Sequence, residues 1–162
     1  MNRLYKELRI PSKRESLTQV ERFVEEICDT YYITNSYFGN ILLAIEEAVN
    51  NAIVHGNELD PSKEVFITFT SQANSLCFTV ADEGNGFDIN KLPDPLSADD
   101  NAIEHTGKGI FLIRSLADKV NFNPSGTQVE IIFYISSIYQ ETTLNRISQL
   151  NKYFQKQKTL AK

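Results

Sequence analysis

Residues 64–86, EVFITFTSQANSLCFTVADEGNG, change the period of the chain and then end in two closely spaced glycines. Val65, Ile67 and Phe69 alternate with polar residues, and so do Leu76, Phe78 and Val80, which is the repeat of a strand with one buried face. The short SQANS link makes an antiparallel hairpin the simplest join. Upstream the period is helical. From about Asn35, residues Phe38, Ile41, Leu42, Ile45, Ala48, Val49, Ala52 and Ile53 form a broad apolar face, and Gly56 is a stop signal. An earlier helix carries Leu17, Val20, Phe23, Val24, Ile27 and Tyr31, with Ser16 read as its N-cap and Gln19 completing a capping box. Leu4, Leu8 and Ile10 precede Pro11 as a first strand. Downstream, residues 92–106 read as a loop and Gly109 opens a third helix to about Asp118. Residues 120–122, the NPSG turn, and Val129, Ile131, Phe133 and Ile135 then form a closing hairpin. The order β-α-α-β-β-α-β-β groups the strands in antiparallel pairs. It predicts an α+β fold, a two-layer sandwich with a mixed, mainly antiparallel sheet and helices on one face.

Composition narrows the function. A chain of 162 residues with 41% hydrophobic content can bury one substantial core. Its net charge of −5 lacks the basic excess that displaces phosphate counterions, so direct nucleic-acid binding is not expected. Cys28 and Cys77 lie far apart within a helical and a strand pattern, which favours two buried thiols over a disulfide or a metal site. The N-terminal residues carry no signal-peptide core, and no stretch approaches the roughly 20 apolar residues of a membrane span, so a cytoplasmic protein without membrane contact is expected. The domain reading places the core domain at residues 1–136 and a helical tail at 137–162. In that tail Leu144, Ile147, Leu150 and Phe154 form a narrow stripe that suits packing on the domain first, with self-association or a partner helix as alternatives.

Three segments carry chemistry. Glu47 and Asn51 are four apart, hence on one face of an otherwise apolar helix, where a carboxylate and an amide need a ligand to justify them. Asn51 offers a neutral carbonyl oxygen suited to Mg²⁺, and Glu47 a base for an attacking hydroxyl. Glu46, about 100° away, is assigned to the edge of the site, with the reversed pair as the alternative. His55 continues the stripe and reads as a packing or capping residue. Asp82 at a strand end accepts hydrogen bonds without donating, which suits the exocyclic amine of a purine, while Gly84 and Gly86 let backbone approach a flat ring. An ordinary turn is the competing reading of DEGNG. Gly107, Lys108 and Gly109 precede a helix, so free N–H groups and the helix dipole point at a phosphate, and Lys108 either adds a charge or is solvated.

In this order the segments resemble the GHKL superfamily, the ATPase fold of gyrase, mismatch-repair, heat-shock chaperone and histidine-kinase proteins, and within it the anti-sigma factor serine kinases. EEAVNNAIVHGN matches the N-box, DEGNG the first glycine box, GKGIFLIRSLAD the second, and Gly126, Thr127 and Val129 the final G-T-x-V. The resemblance implies a Bergerat-type ATP-binding fold using ATP and Mg²⁺, with Glu47 as base, Asn51 on the metal and Asp82 on adenine. Thr127 is expected beside Asp82, and Gly107, Lys108 and Gly109 at the phosphates. It further implies phosphorylation of a serine on a small STAS-like anti-sigma antagonist, sequestration of a sigma factor, and a homodimer. An ATP-gated binding switch with little phosphoryl transfer is the alternative. Glu46 and the tail depart from the family pattern.

Overall fold

The computed structural model describes residues 4–91 and 105–140, together with positions 144, 148 and 151. Its elements are β1 (Tyr5–Pro11), α1 (Leu17–Thr30), α2 (Asn35–Asn51), β2 (Glu64–Gln72), β3 (Ser75–Ala81), α3 (His105–Leu116), β4 (Lys119–Phe122) and β5 (Gln128–Tyr134). This is the order the periodicities predict. The sheet runs β1-β2-β3-β5-β4, and all of these pairings are antiparallel, which narrows the mixed sheet expected.

Register aligns the apolar positions on one face. Ile67 pairs with Val80 and Phe69 with Phe78, and the next ladder sets Phe78 against Ile131 and Val80 against Val129. A one-residue slip would turn every one of these side chains to the opposite face, so burial specifies the pairing. On the covered face the rings of Phe69, Phe78 and Phe133 are fully buried, with centroids 5.0 Å and 6.2 Å apart along the row. Truncating one such ring costs about 3–5 kcal/mol. Helix α2 presents Ile41, Ala44, Ile45, Ala48 and Val49 to this layer, and α1 adds Val20, Val24 and Ile27.

Three local expectations change: the cap at Ser16, the start of α3, and Ile135, which is helical and not part of the closing strand. Ser16 does not cap α1 through its side chain. It closes a short 3-10 turn, and its hydroxyl donates instead to the Pro11 carbonyl at 2.9 Å, tying the helix start to the end of β1. Gly56 ends a π turn, Ala52–Gly56, that continues α2, and the Asn57 amide closes it on the Ala52 carbonyl at 2.8 Å. Such turns widen a helix and recur beside functional sites. Helix α3 begins at His105, so Gly109 lies inside the helix and does not open it. Residues 92–104 of the expected loop lie outside the described residues. In the tail, residues 135–140 are helical, Ile138 is buried in the core and Leu144 is 66% exposed. Ile147, Leu150 and Phe154 lie outside the described residues.

Candidate nucleotide-binding site

A cavity of about 360 Å³ opens between α2, the turn after β3, α3 and the β4–β5 hairpin. Ala48, Asn51, Ala52 and His55 line it along α2 and the π turn, while Val80, Asp82 and Gly86 come from β3 and the turn beyond. Ile110 and Ile113 of α3, with Phe122, Thr127 and Val129 of the hairpin, complete apolar walls. Walls of this kind with a few convergent polar groups suit a planar heterocycle.

Asp82 and Asp88 are the carboxylates that line this cavity. Burial pushes the Asp82 carboxyl above the ordinary aspartate value, while the Gly84 N–H, donating to Oδ1 at 2.8 Å, and the charge of Lys63 pull the other way. The Asp82 amide donates to the Thr127 carbonyl at 3.0 Å, so the strand end is fastened to the hairpin. Thr127 thereby stands beside Asp82, and its amide donates to Asn123 Oδ1 at 2.9 Å. The glycines also serve the packing of the turns themselves. Gly86 and Gly126 have φ of 74° and 73°, and a Cβ on either would overlap backbone of the facing segment, Ser125 O and Phe87 O respectively. The close approach they permit is therefore between two turns of the chain itself. Gly84 does not line the cavity; a side chain there would strike the Gly56 carbonyl beneath the Asp82 turn.

At the other end Glu47 and Asn51 meet α3. A Cβ at Gly109 would lie 2.9 Å from Glu47 Oε2 and 3.1 Å from Asn51 Nδ2, so both polar side chains occupy the space that this glycine leaves. Glu46 belongs to a different environment. Burial, then the charges of Glu21 on α1 and of Glu47, raise its carboxyl above the ordinary range. Asn51, Asp82, Gly86 and Thr127 thus converge on the cavity, and Glu47 and Gly109 stand beside Asn51. Gly107 is buried and Lys108 exposed, and neither lines the cavity.

Several lining residues escaped the sequence reading. His55, read as structural, is exposed and faces the cavity, and Lys91 reaches it while pairing loosely with Asp88 at 3.8 Å. Phe87 and Phe122 meet edge to face at 5.9 Å on the hairpin side. No spacing rule announces Lys91, Phe87 or Phe122, although the helix stripe already reached His55 and the period of the closing strand already marked Val129. Among the described residues no group of three or more His, Cys, Asp or Glu is placed to hold a metal.

Residues 10–133 match the family model of the histidine kinase-like ATPase domain. The chain belongs to this family. A histidine kinase-like ATPase domain explains why a polar helix face, an acidic glycine turn and a third helix share one cavity. Among curated relatives, the chain is 32% identical over 100 residues to the anti-sigma F factor of Anoxybacillus flavithermus, covering 59% of this chain and 68% of that protein. It is 26% identical over 148 residues to serine-protein kinase RsbW of Bacillus subtilis, covering 86% and 92%. In fold it resembles the crystal structure of the RsbU and RsbW domains of Rv1364c from Mycobacterium tuberculosis. That match has a TM-score of 0.54 at 14% identity and covers 83% of this chain but 32% of that one. The chain therefore spans about a third of that protein's length.

Proposed function

We propose that this histidine kinase-like ATPase domain is an ATP-dependent serine/threonine protein kinase of the anti-sigma type. It phosphorylates a serine of a small STAS-like anti-sigma antagonist and sequesters a sigma factor. One observation carries the reading: a half-buried acceptor, Asp82, shares a single cavity with Asn51, while Glu47 adjoins Asn51 at Gly109. The names of the relatives, a serine-protein kinase and anti-sigma F factors, support the same activity.

Each residue has a role in that reaction. Asp82 accepts the adenine amine, with Gly86 and Thr127 at the ring and Gly84 beneath the turn. Asn51 supplies a carbonyl oxygen to Mg²⁺. A single amide ligand fits an ion that draws its other ligands from nucleotide phosphates and water, which is how Mg²⁺ is commonly held. Bound there, the ion neutralises charge on the phosphates. Glu47 orients and deprotonates the acceptor hydroxyl, and its partner in space is Asn51, whereas Glu46 turns toward α1. Gly107, Lys108 and Gly109, in the first turns of α3, serve the phosphate side through the helix dipole. Positioning and charge neutralisation supply most of the catalysis in such transfers. No helix among the described residues is long and apolar enough to cross a membrane; a cytoplasmic homodimer is part of the proposal.

Calorimetry with Mg·ATP on the wild type and Asp82→Asn, followed by label transfer to an antagonist protein, tests the reading. Tight binding that the variant loses, with label on serine, is expected. Binding without transfer to any antagonist replaces the kinase with an ATP-gated switch, and no binding removes the nucleotide site altogether.

A further inference from the structure

Asn57 ended the N-box resemblance without a chemical role, yet it is fully buried and every polar atom of its side chain is engaged. Its Nδ2 donates to Ser12 Oγ at 2.8 Å and to the Glu64 carbonyl at 2.9 Å, and its Oδ1 accepts from the Glu83 amide at 2.8 Å. The Ser12 hydroxyl donates in turn to the Lys63 carbonyl at 2.9 Å. Glu83 then reaches back, its Oε2 accepting from the Glu64 amide at 2.6 Å. Asn57, Glu64 and Glu83 therefore close a ring in which Glu64 is held through both its N–H and its C=O.

We propose that Asn57 is a positioning residue that sets the adenine-reading carboxylate of Asp82 through this ring. The proposal rests on the nucleotide reading above. Glu83 immediately follows Asp82, so the Asn57 Oδ1 bond holds the peptide that carries the Asp82 side chain, while Gly56, just before Asn57, lies directly against the Asp82 carboxylate. One residue pair thus fixes Asp82 from its backbone and from its side chain. The chain accepts awkward backbone to place Asn57 there: Glu58 and Leu59, the next two residues, both take positive φ, at 55° and 59°. Such conformations persist only where the surroundings over-determine them. A buried amide with satisfied donors and acceptor is rigid, and the loss of one partner leaves the others unpaired in a site that water does not reach.

The test titrates the full chain with Mg·ATP and with Mg·ITP, in which a carbonyl replaces the amine that Asp82 reads. Wild type is expected to prefer ATP. Asn57→Ala is expected to weaken ATP binding about tenfold or more and to narrow the ATP-to-ITP ratio, because Asp82 is no longer held in register. Ser12→Ala removes only the hydroxyl on the β1 side and is expected to lower Tm while leaving that ratio unchanged. Since Asn57 is fully buried, Glu83→Ala, an exposed side chain, opens the same ring without threatening the core and is expected to narrow the ratio to a smaller extent. Amide exchange gives a readout free of nucleotide: Glu83 and Gly84 should exchange faster in Asn57→Ala and not in Ser12→Ala. A wild type that binds no ATP overturns the nucleotide reading and with it this role. An unchanged ratio in both Asn57→Ala and Glu83→Ala overturns the clamp alone, as does a Ser12→Ala variant whose ratio narrows equally.

Discussion

The two ends of the candidate site are held by opposite means. At Asp82 the position is set by directed hydrogen bonds, from the Gly84 amide to its carboxylate, from its own amide to Thr127, and from the Glu83 amide to Asn57. At Glu47 and Asn51 it is set by space, because Gly109 leaves room on α3 for two polar side chains of α2. Hydrogen bonds tolerate small changes of volume and fail when a donor or acceptor is lost; a steric fit behaves the other way round. The proposed adenine end should therefore be sensitive to chemistry and the proposed phosphate end to size.

The largest expected effect lies at the phosphate end. If Glu47 is the proposed base, Glu47→Ala should lower serine phosphorylation about 10²–10⁴-fold while ATP binding stays near wild type, since only the transferring step uses it. Equal losses of binding and transfer would dissolve the distinction between the two ends. Gly109→Val comes next. Its side chain must displace Glu47 and Asn51, so single-turnover transfer should drop about 10²-fold and Mg·ATP binding should weaken as the proposed metal ligand moves. A variant that transfers normally would show that space is not what sets this end.

At the adenine end, Asp82→Asn should weaken ATP binding about tenfold or more, an acceptor having become a donor at one position, as read by calorimetry. The same change should raise the stability of the ligand-free protein at neutral pH. Burial raises the folded-state pKa of Asp82 above its unfolded value, so the folded protein binds that proton more tightly. Its contribution to stability is most favourable below the unfolded pKa and is lost as pH rises through the raised value, the reverse of a salt-bridged aspartate. Thermal melts across that window should show the wild type losing stability that Asp82→Asn retains. The smallest effect belongs to the hairpin. Gly126→Ala puts a Cβ at positive φ against Phe87 and should cost about 1–3 kcal/mol of stability, seen as a lower Tm, with catalysis by the remaining folded protein little changed.

Much of this was legible before the fold was known. Period-two and period-3.6 patterns located α1, α2, β2, β3 and β5, since burial on one face leaves a mark every second or every third and fourth residue, while β1, α3 and β4 were placed by proline, glycine and turn signals. The polar pair Glu47 and Asn51 and the acidic glycine turn stood out because they interrupt those patterns. Ser16 misled for a tertiary reason: its hydroxyl found an acceptor in Pro11, on another element, in place of the helix amides nearby. The start of α3 was misplaced because residues 92–106 carry no period and glycine suggested a loop, whereas Gly109 sits in a helix as the small residue at a contact. Lys91 was missed because a cavity wall assembled from α2 and the segment after β3 has no linear spacing, whereas His55 lies on the Asn51 stripe and only the cavity shows which way it faces.

The sequence alone determined the order of elements, the face that each buries and the family to which the chain belongs, because hydrophobic periodicity and short glycine turns are local properties of a chain. Only the tertiary structure decided which carboxylate adjoins Asn51, why Gly109 must be small and what holds Asp82. Those depend on contacts among residues 12, 57, 64 and 83, or 47, 51 and 109, which become neighbours when strands and helices pack.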